Sequence, residues 1–158
     1  MGAYDIQDRT EFELALARLI VNNLDVNVWI FKIDDEFGAR GHASLNVEQL
    51  KTIVELRRRK VKMSEEIVNR LQQTLSKVLA KKVKIAQPTL YSGGWEQYIA
   101  QFCKIGGVIE CAPPLCALNQ LNYPSVSFFI EPDGHVKLIG SCDKFSGSEF
   151  VNAGCFAP

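Results

Sequence analysis

Residues 27–46 read NVWIFKIDDEFGARGHASLN, and their reading decides the fold. An apolar run, Val28-Trp29-Ile30-Phe31, delivers one lysine, Lys32. Its β-branched and aromatic content predicts a buried strand bounded by turn residues. A polar loop with two glycines, Gly38 and Gly41, follows, carrying Asp34, Asp35, Glu36 and Arg40, and alternation resumes through Ala43 and Leu45. Strand, lysine, glycine loop and strand together can hold an anionic phosphate. Glycines let backbone N–H groups approach it, and the lysine supplies a point charge. The stretch is not a Walker loop, because no Gly-Lys-Ser/Thr follows the glycines, and it is not a dinucleotide fingerprint, which needs three glycines opening a helix. A surface hairpin with a solvated lysine is the other reading of these residues alone.

Upstream, Asp8-Arg9-Thr10 reads as a helix start, with Glu11 and Glu13 in the first turn. Phe12, Leu16, Leu19, Ile20 and Leu24 give that helix its stripe. Downstream, a helix is predicted over 46–59, capped by Asn46, with Leu50, Ile53 and Val54 inward. The basic run from Arg57 to Lys62 reads as a solvated helix end suited to the negative pole of the dipole, or as a patch for an anionic partner. Ser64 restarts a helix striped by Ile67, Leu71, Leu75, Val78 and Leu79, and a short strand follows at Val83–Ile85. Trp95–Lys104 is predicted helical, ended by Gly106-Gly107, with Tyr98, Ile99 and Phe102 inward. Val108–Ala112 reads as a strand stopped by Pro113-Pro114, and 115–124 as a loop. Ser125–Ser141 reads as a hairpin: Val126, Phe128 and Ile130 share a face, Pro132-Asp133-Gly134 turns, and Val136 and Leu138 return. The end of the chain, from Asp143, shows little periodicity.

A chain of 158 residues can bury a sizeable core as one domain. Lys+Arg and Asp+Glu each total 18, so a zero formal charge argues against a general nucleic-acid or membrane binder. No apolar run reaches membrane-spanning length, no signal-peptide pattern opens the chain, and Ile6 breaks the myristoylation pattern. The five cysteines, Cys103, Cys111, Cys116, Cys142 and Cys155, form no C-x-x-C pair, and with only His42 and His135 beside them a zinc site is not expected. Reduced thiols in a cytoplasmic protein are the expectation, with Cys103, Cys111 and Cys142 mostly inaccessible.

Four blocks then carry a resemblance: WIFKIDDEFGARGHAS, GGVIECAPP, YPSVSFFIEPDGHVKLIGSCDKF and FVNAGCFAP. In this order they resemble the first part of an ATP-grasp nucleotide-binding domain, and more narrowly the ATP-grasp-type region of the IQ motif-containing protein H family. The resemblance implies that Lys32 pairs with the α- and β-phosphates of ATP. It implies that Gly38, Arg40 and Gly41 belong to the flap over those phosphates. It implies that Glu110, Cys111 and Ala112 form the adenine hinge. Two departures stand out. Pro113-Pro114 occupy the place after the hinge where the family has an acidic residue for the ribose, and the family's magnesium ligands, an acidic residue and a Glu-x-Asn pair, are not found here. Ile6-Gln7 also lacks the basic residues of an IQ motif. The chain is therefore expected to be a single segment of a larger protein, with no catalytic or metal-binding residue of its own, and to bind magnesium only with help from missing parts.

The expected fold is α+β, a mainly antiparallel sheet with helices on one face. Its core is predicted from Phe12, Leu16, Leu19, Ile30, Leu50, Ile53, Leu71, Leu75, Ile99, Phe102, Val126, Phe128 and Leu138. The expected activity is nucleotide binding, within a parent that activates a carboxylate as an acylphosphate for an amine or thiol. An interaction domain that kept the fold and lost the ligand is the alternative. The loop from Phe37 to His42 is expected to be mobile without nucleotide, for want of apolar anchors.

Overall fold

The computed structural model describes residues 2–59, 63–112, 123–148 and 151–156. Its chain forms two compact units, Met1–Pro113 and Pro114–Pro158. In the first, β1 (Gly2–Ala3) leads to α1 (Arg9–Asn22), β2 (Val28–Ile33), β3 (His42–Asn46), α2 (Lys51–Arg59), α3 (Glu65–Lys82) and β4 (Lys84–Ile85). A 3₁₀ turn, Pro88–Leu90, precedes α4 (Gly94–Ile105) and β5 (Gly107–Cys111). The strands form one antiparallel sheet in the order β1-β5-β2-β3-β4. The second unit is a separate antiparallel sheet of β6 (Tyr123–Ile130), β7 (Val136–Ser148) and β8 (Val151–Phe156). The fold is α+β, as the sequence predicts.

Strand alternation sorts the first sheet into two faces. Trp29, Phe31, Ile33, Ala43, Leu45 and Ile109 point one way, into the helices, and all are buried. Phe12 from α1 meets Phe31 edge-on at 4.9 Å and Phe102 from α4 at 5.0 Å, geometries that favour aromatic pairs beyond the area they bury. Leu71, Leu75 and Leu79 of α3 and Ile53 of α2 complete this core. Caps hold the helices as predicted at two starts. Asp8 accepts from the Glu11 N–H at 2.8 Å, and Ser64 from the Ile67 N–H at 3.4 Å. Glu13, buried on α1, accepts from Arg9 at 3.0 Å and from the Ser76 hydroxyl of α3, while Arg9 reaches Glu96 of α4 at 2.7 Å. Those polar groups tie three helices together.

Several expectations need correction. The helix predicted over 46–59 begins only at Lys51, because Asn46 pairs with Val28 in the sheet and its side chain accepts from the Glu48 N–H at 2.8 Å in a turn. Val54 is exposed rather than inward, and Leu19 and Leu50 are only partly buried. Arg57 is not simply solvated: it donates to the carbonyls of Leu24 and Val26 at 2.5 and 3.1 Å, bracing the loop before β2. Lys60 to Lys62 lie outside the described residues. So do 115–122 of the predicted loop, whereas Tyr123 and Pro124 belong to β6. The tail without periodicity is a strand pair, β7 running on to Ser148 with β8 beside it.

The largest correction concerns Val126, Phe128 and Leu138. They alternate on a hairpin as predicted but form no core. Phe128 is 57% exposed and Leu138 71%. The register shifts at Ser127/Phe128, and no helix is present in the described part of this unit to cover the hairpin.

Candidate functional site

The face of the first sheet turned away from the helices carries Lys32 and Glu110, two of the residues singled out in the sequence. β2 places Ile30 and Lys32 there. β5 adds Val108 and Glu110, opposite Lys32 and Ile30 respectively, and β3 adds His42 and Ser44 opposite the same two residues. β4 brings Lys84 opposite Ser44. Ile30 is buried at 3% exposure although it belongs to this polar face. Lys32 lies one residue from the end of β2, and its ammonium is ion-paired with the Glu110 carboxylate on the diagonal position of β5. Both side chains remain more than a third exposed, so water weakens this pair and its contribution to stability is about 0–1 kcal/mol.

His42 completes the cluster. Its Nδ1 is buried with no hydrogen-bond partner among the described residues. Burial first, then the neighbouring Lys32 charge, lower its pKa from the ordinary value, against the opposing pull of Glu110. Both effects favour the neutral imidazole, which has one buried nitrogen and lies beside a lysine and a carboxylate. Sequence reasoning passed over His42, Ser44 and Lys84. The alternation His42-Ala43-Ser44-Leu45, polar residues on one face and apolar on the other, was the available signal.

The loop between β2 and β3 is a run of turns, without helix. It is better anchored than its glycines suggest. Tyr98 of α4 donates its hydroxyl to the Gly41 carbonyl at 2.9 Å, and Gln87 donates to the Gly38 carbonyl at 2.8 Å. Burial, then Tyr91, holds the Tyr98 phenol well above its ordinary pKa, so it stays a donor. Ala39 is buried, and the Arg40 and His42 N–H groups donate to Phe37 and Ala39 carbonyls, each at 3.1 Å. Ala39 is the loop's one buried apolar side chain, and the rest of its anchoring is by hydrogen bonds. Phe37 at the tip is 85% exposed, and Arg40 faces Glu36 at 4.0 Å. Gly38 sits at φ +61°, and Gly41 is needed for a different reason. A Cβ there would lie 2.8 Å from the Ile33 Cβ and 2.9 Å from that of Glu36.

At the other end of the cluster, Glu110, Cys111 and Ala112 separate. Glu110 points to the polar face, while Cys111 pairs with Trp29 and packs its thiol against the helix-side core. The Ala112 N–H is taken by the Val28 carbonyl at 2.9 Å. Strand alternation therefore turns the main-chain groups of Cys111 toward the β1 edge, past the pairing of Gly2 with Glu110. Of the sequence-predicted site residues, Lys32 and Glu110 are in contact; Gly38, Arg40 and Gly41 form the adjoining loop; and of the hinge, Cys111 has the main chain free of β2. Among the described residues no group of three His, Cys, Asp or Glu is arranged to hold a metal ion. Nor is any helix there long and apolar enough to cross a membrane.

Comparison with known proteins now adds to this geometry. The model of a protein family described as IQCH-like, ATP-grasp matches residues 1–158. The chain is 28% identical to IQ motif-containing protein H of Danio rerio over 168 aligned residues, 99% of this chain but 16% of that protein. No solved structure matches.

Proposed function

Because the chain belongs to the IQCH-like, ATP-grasp family, we propose that the polar face around Lys32 binds ATP. The observation that carries this reading is the juxtaposition, on one sheet face, of the Lys32–Glu110 pair and the buried Nδ1 of His42, which no described residue bonds, at the strand end from which the glycine loop departs. In this reading Lys32 leaves Glu110 to meet the α- and β-phosphates. The loop from Gly38 to Gly41, with Arg40, lies over them. The main chain of Glu110, Cys111 and Ala112 lines the base, with Cys111 best placed to bond its edge. The His42 nitrogen would gain a polar partner that it lacks among the described residues.

In this reading magnesium would come with the phosphates and with ligands from the longer protein. The chain spans 16% of the relative it matches, so the reaction belongs to the longer protein. We propose that such a protein, if it carries an acidic residue and a Glu-x-Asn pair elsewhere, phosphorylates a carboxylate and passes it to an amine or thiol. What the residues of this chain do is position the phosphates and neutralise their charge. A cytoplasmic location, where ATP and reduced thiols coexist, belongs to the same proposal.

Calorimetric titration with ATP tests it. A charge-assisted bond from Lys32 contributes about 1.5–3 kcal/mol, so Lys32→Ala should weaken binding about tenfold to a hundredfold. At ~10 times its dissociation constant, ATP should stabilise the wild type by about 1.4 kcal/mol in a thermal shift. Equal binding by wild type and variant removes Lys32 from the site. No saturable binding at millimolar ATP, by this chain and by a longer protein containing it, would favour an interaction domain that kept the fold and lost the ligand.

A further inference from the structure

The second unit brings two thiols together that the sequence keeps 13 residues apart, Cys142 and Cys155. Cys142 and Lys144 share one face of β7. The register sets Cys155 of β8 opposite Lys144, and Ser125 of β6 opposite Cys142. Cys155 is therefore the diagonal neighbour of Cys142, on the same face of the sheet. Cys155 is exposed and Cys142 half-buried, and both are free thiols. Cys103 and Cys111, the other cysteines among the described residues, lie in the first unit, on α4 and β5.

We propose that Cys142 and Cys155 are a modification site, a dithiol that closes to a disulfide on exposure to a low-molecular-weight disulfide such as oxidised glutathione. The chemistry balances in two exchanges. The exposed Cys155 attacks as thiolate, releasing its proton to solvent, and one sulfur of the small disulfide leaves as a thiolate. Cys142 then loses its proton and attacks the Cys155 sulfur of the mixed disulfide. The second small thiolate leaves, and the two released protons end on the two small thiols. Two protein thiols are oxidised and one small disulfide is reduced. Desolvation, then the Cys155 thiol beside it, push the Cys142 thiol up in pKa, while Lys144 pulls it down. Cys142 is suited to the second, intramolecular step, where proximity compensates for a smaller thiolate fraction.

The geometry also says what kind of disulfide results. Diagonal partners on neighbouring strands have Cα atoms about 7–8 Å apart, beyond the usual range for a disulfide. Closure must slide β8 along β7, and β8, an edge strand among the described residues, has only that one partner to shift against. The bond formed is strained and open to solvent, hence readily reduced, which suits a reversible modification better than a structural staple.

The test is to incubate the 158-residue protein with oxidised glutathione, quench in acid, alkylate the remaining thiols, and map disulfides by mass spectrometry without reduction. The expected product links Cys142 to Cys155, and excess reduced glutathione returns both to the alkylated pool. Cys155→Ser should lower disulfide formation at Cys142 by about tenfold or more, because the high effective concentration of the partner is lost. A stable glutathione adduct on Cys155 with Cys142 still alkylated would overturn the proposal. So would linkage of either residue to Cys103, Cys111 or Cys116 as the main product. The mapping on wild type stands whether or not the variant folds.

Discussion

Phe31 and Phe128 occupy similar positions in similar sequences, yet one is fully buried and the other 57% exposed. Each lies in a short run of alternating or continuous apolar residues paired antiparallel to a neighbour. The sheet holding Phe31 has α1 and α4 over it, contributing Phe12, Trp95 and Phe102. The unit holding Phe128 has no helix of its own among the described residues. Hydrogen-bonded pairing makes a strand, but burial needs a second layer of side chains, and a hairpin cannot provide one for itself.

The sharpest way to break that comparison is to truncate both rings. Phe31→Ala should destabilise the first unit by about 3–5 kcal/mol, and Phe128→Ala should change stability by less than about 1 kcal/mol. Urea denaturation followed by circular dichroism reads both. A cost for Phe128 as large as that for Phe31 would mean that the second sheet is covered in solution.

A smaller effect tests how the helical layer is held. Removing the Asp8 cap with Asp8→Ala should cost about 1 kcal/mol, seen as a lower urea midpoint at unchanged slope. A change near zero would show that the packing of α1 on β2, rather than its cap, determines the helix start.

The slightest effect is a pH dependence from the polar face. The folded pKa of His42 lies below its ordinary value of about 6.5, chiefly through burial. The unfolded chain therefore binds the proton more readily. The stability associated with neutral His42 is complete above pH ~6.5 and is lost as the pH falls from there through the folded pKa. His42→Gln should flatten the fall in stability as the pH drops below ~6.5, measured by urea unfolding at each pH. A slope unchanged by the substitution would show that His42 is protonated equally in both states.

Much of the first unit was legible in the sequence because its elements are specified locally. Asp8 and Ser64 cap helices in place, the 3.6-residue stripes of Phe12 and Leu16 and of Leu71 and Leu75 face inward, and Gly106 at φ +100° ends α4. The Lys32 strand and the following loop were also legible, because β-branched and aromatic residues followed by glycines leave few alternatives. Asn46 was misread since the same side chain suits a helix cap and a turn. Its pairing with Val28 settled the matter.

What the sequence determined alone is thus a set of strands, helices and turns, and the family resemblance of its blocks. Only the tertiary structure decided which residues meet. Lys32 and Glu110 are 78 positions apart, and antiparallel register brings them into an ion pair. His42 joins them, Cys111 turns its thiol to the opposite face, and Cys155 arrives beside Cys142. The physical reason is that period-two alternation says only that a side chain points up or down. The neighbours it finds depend on strand order and register, set by long-range pairing and by the aromatic packing beneath the sheet.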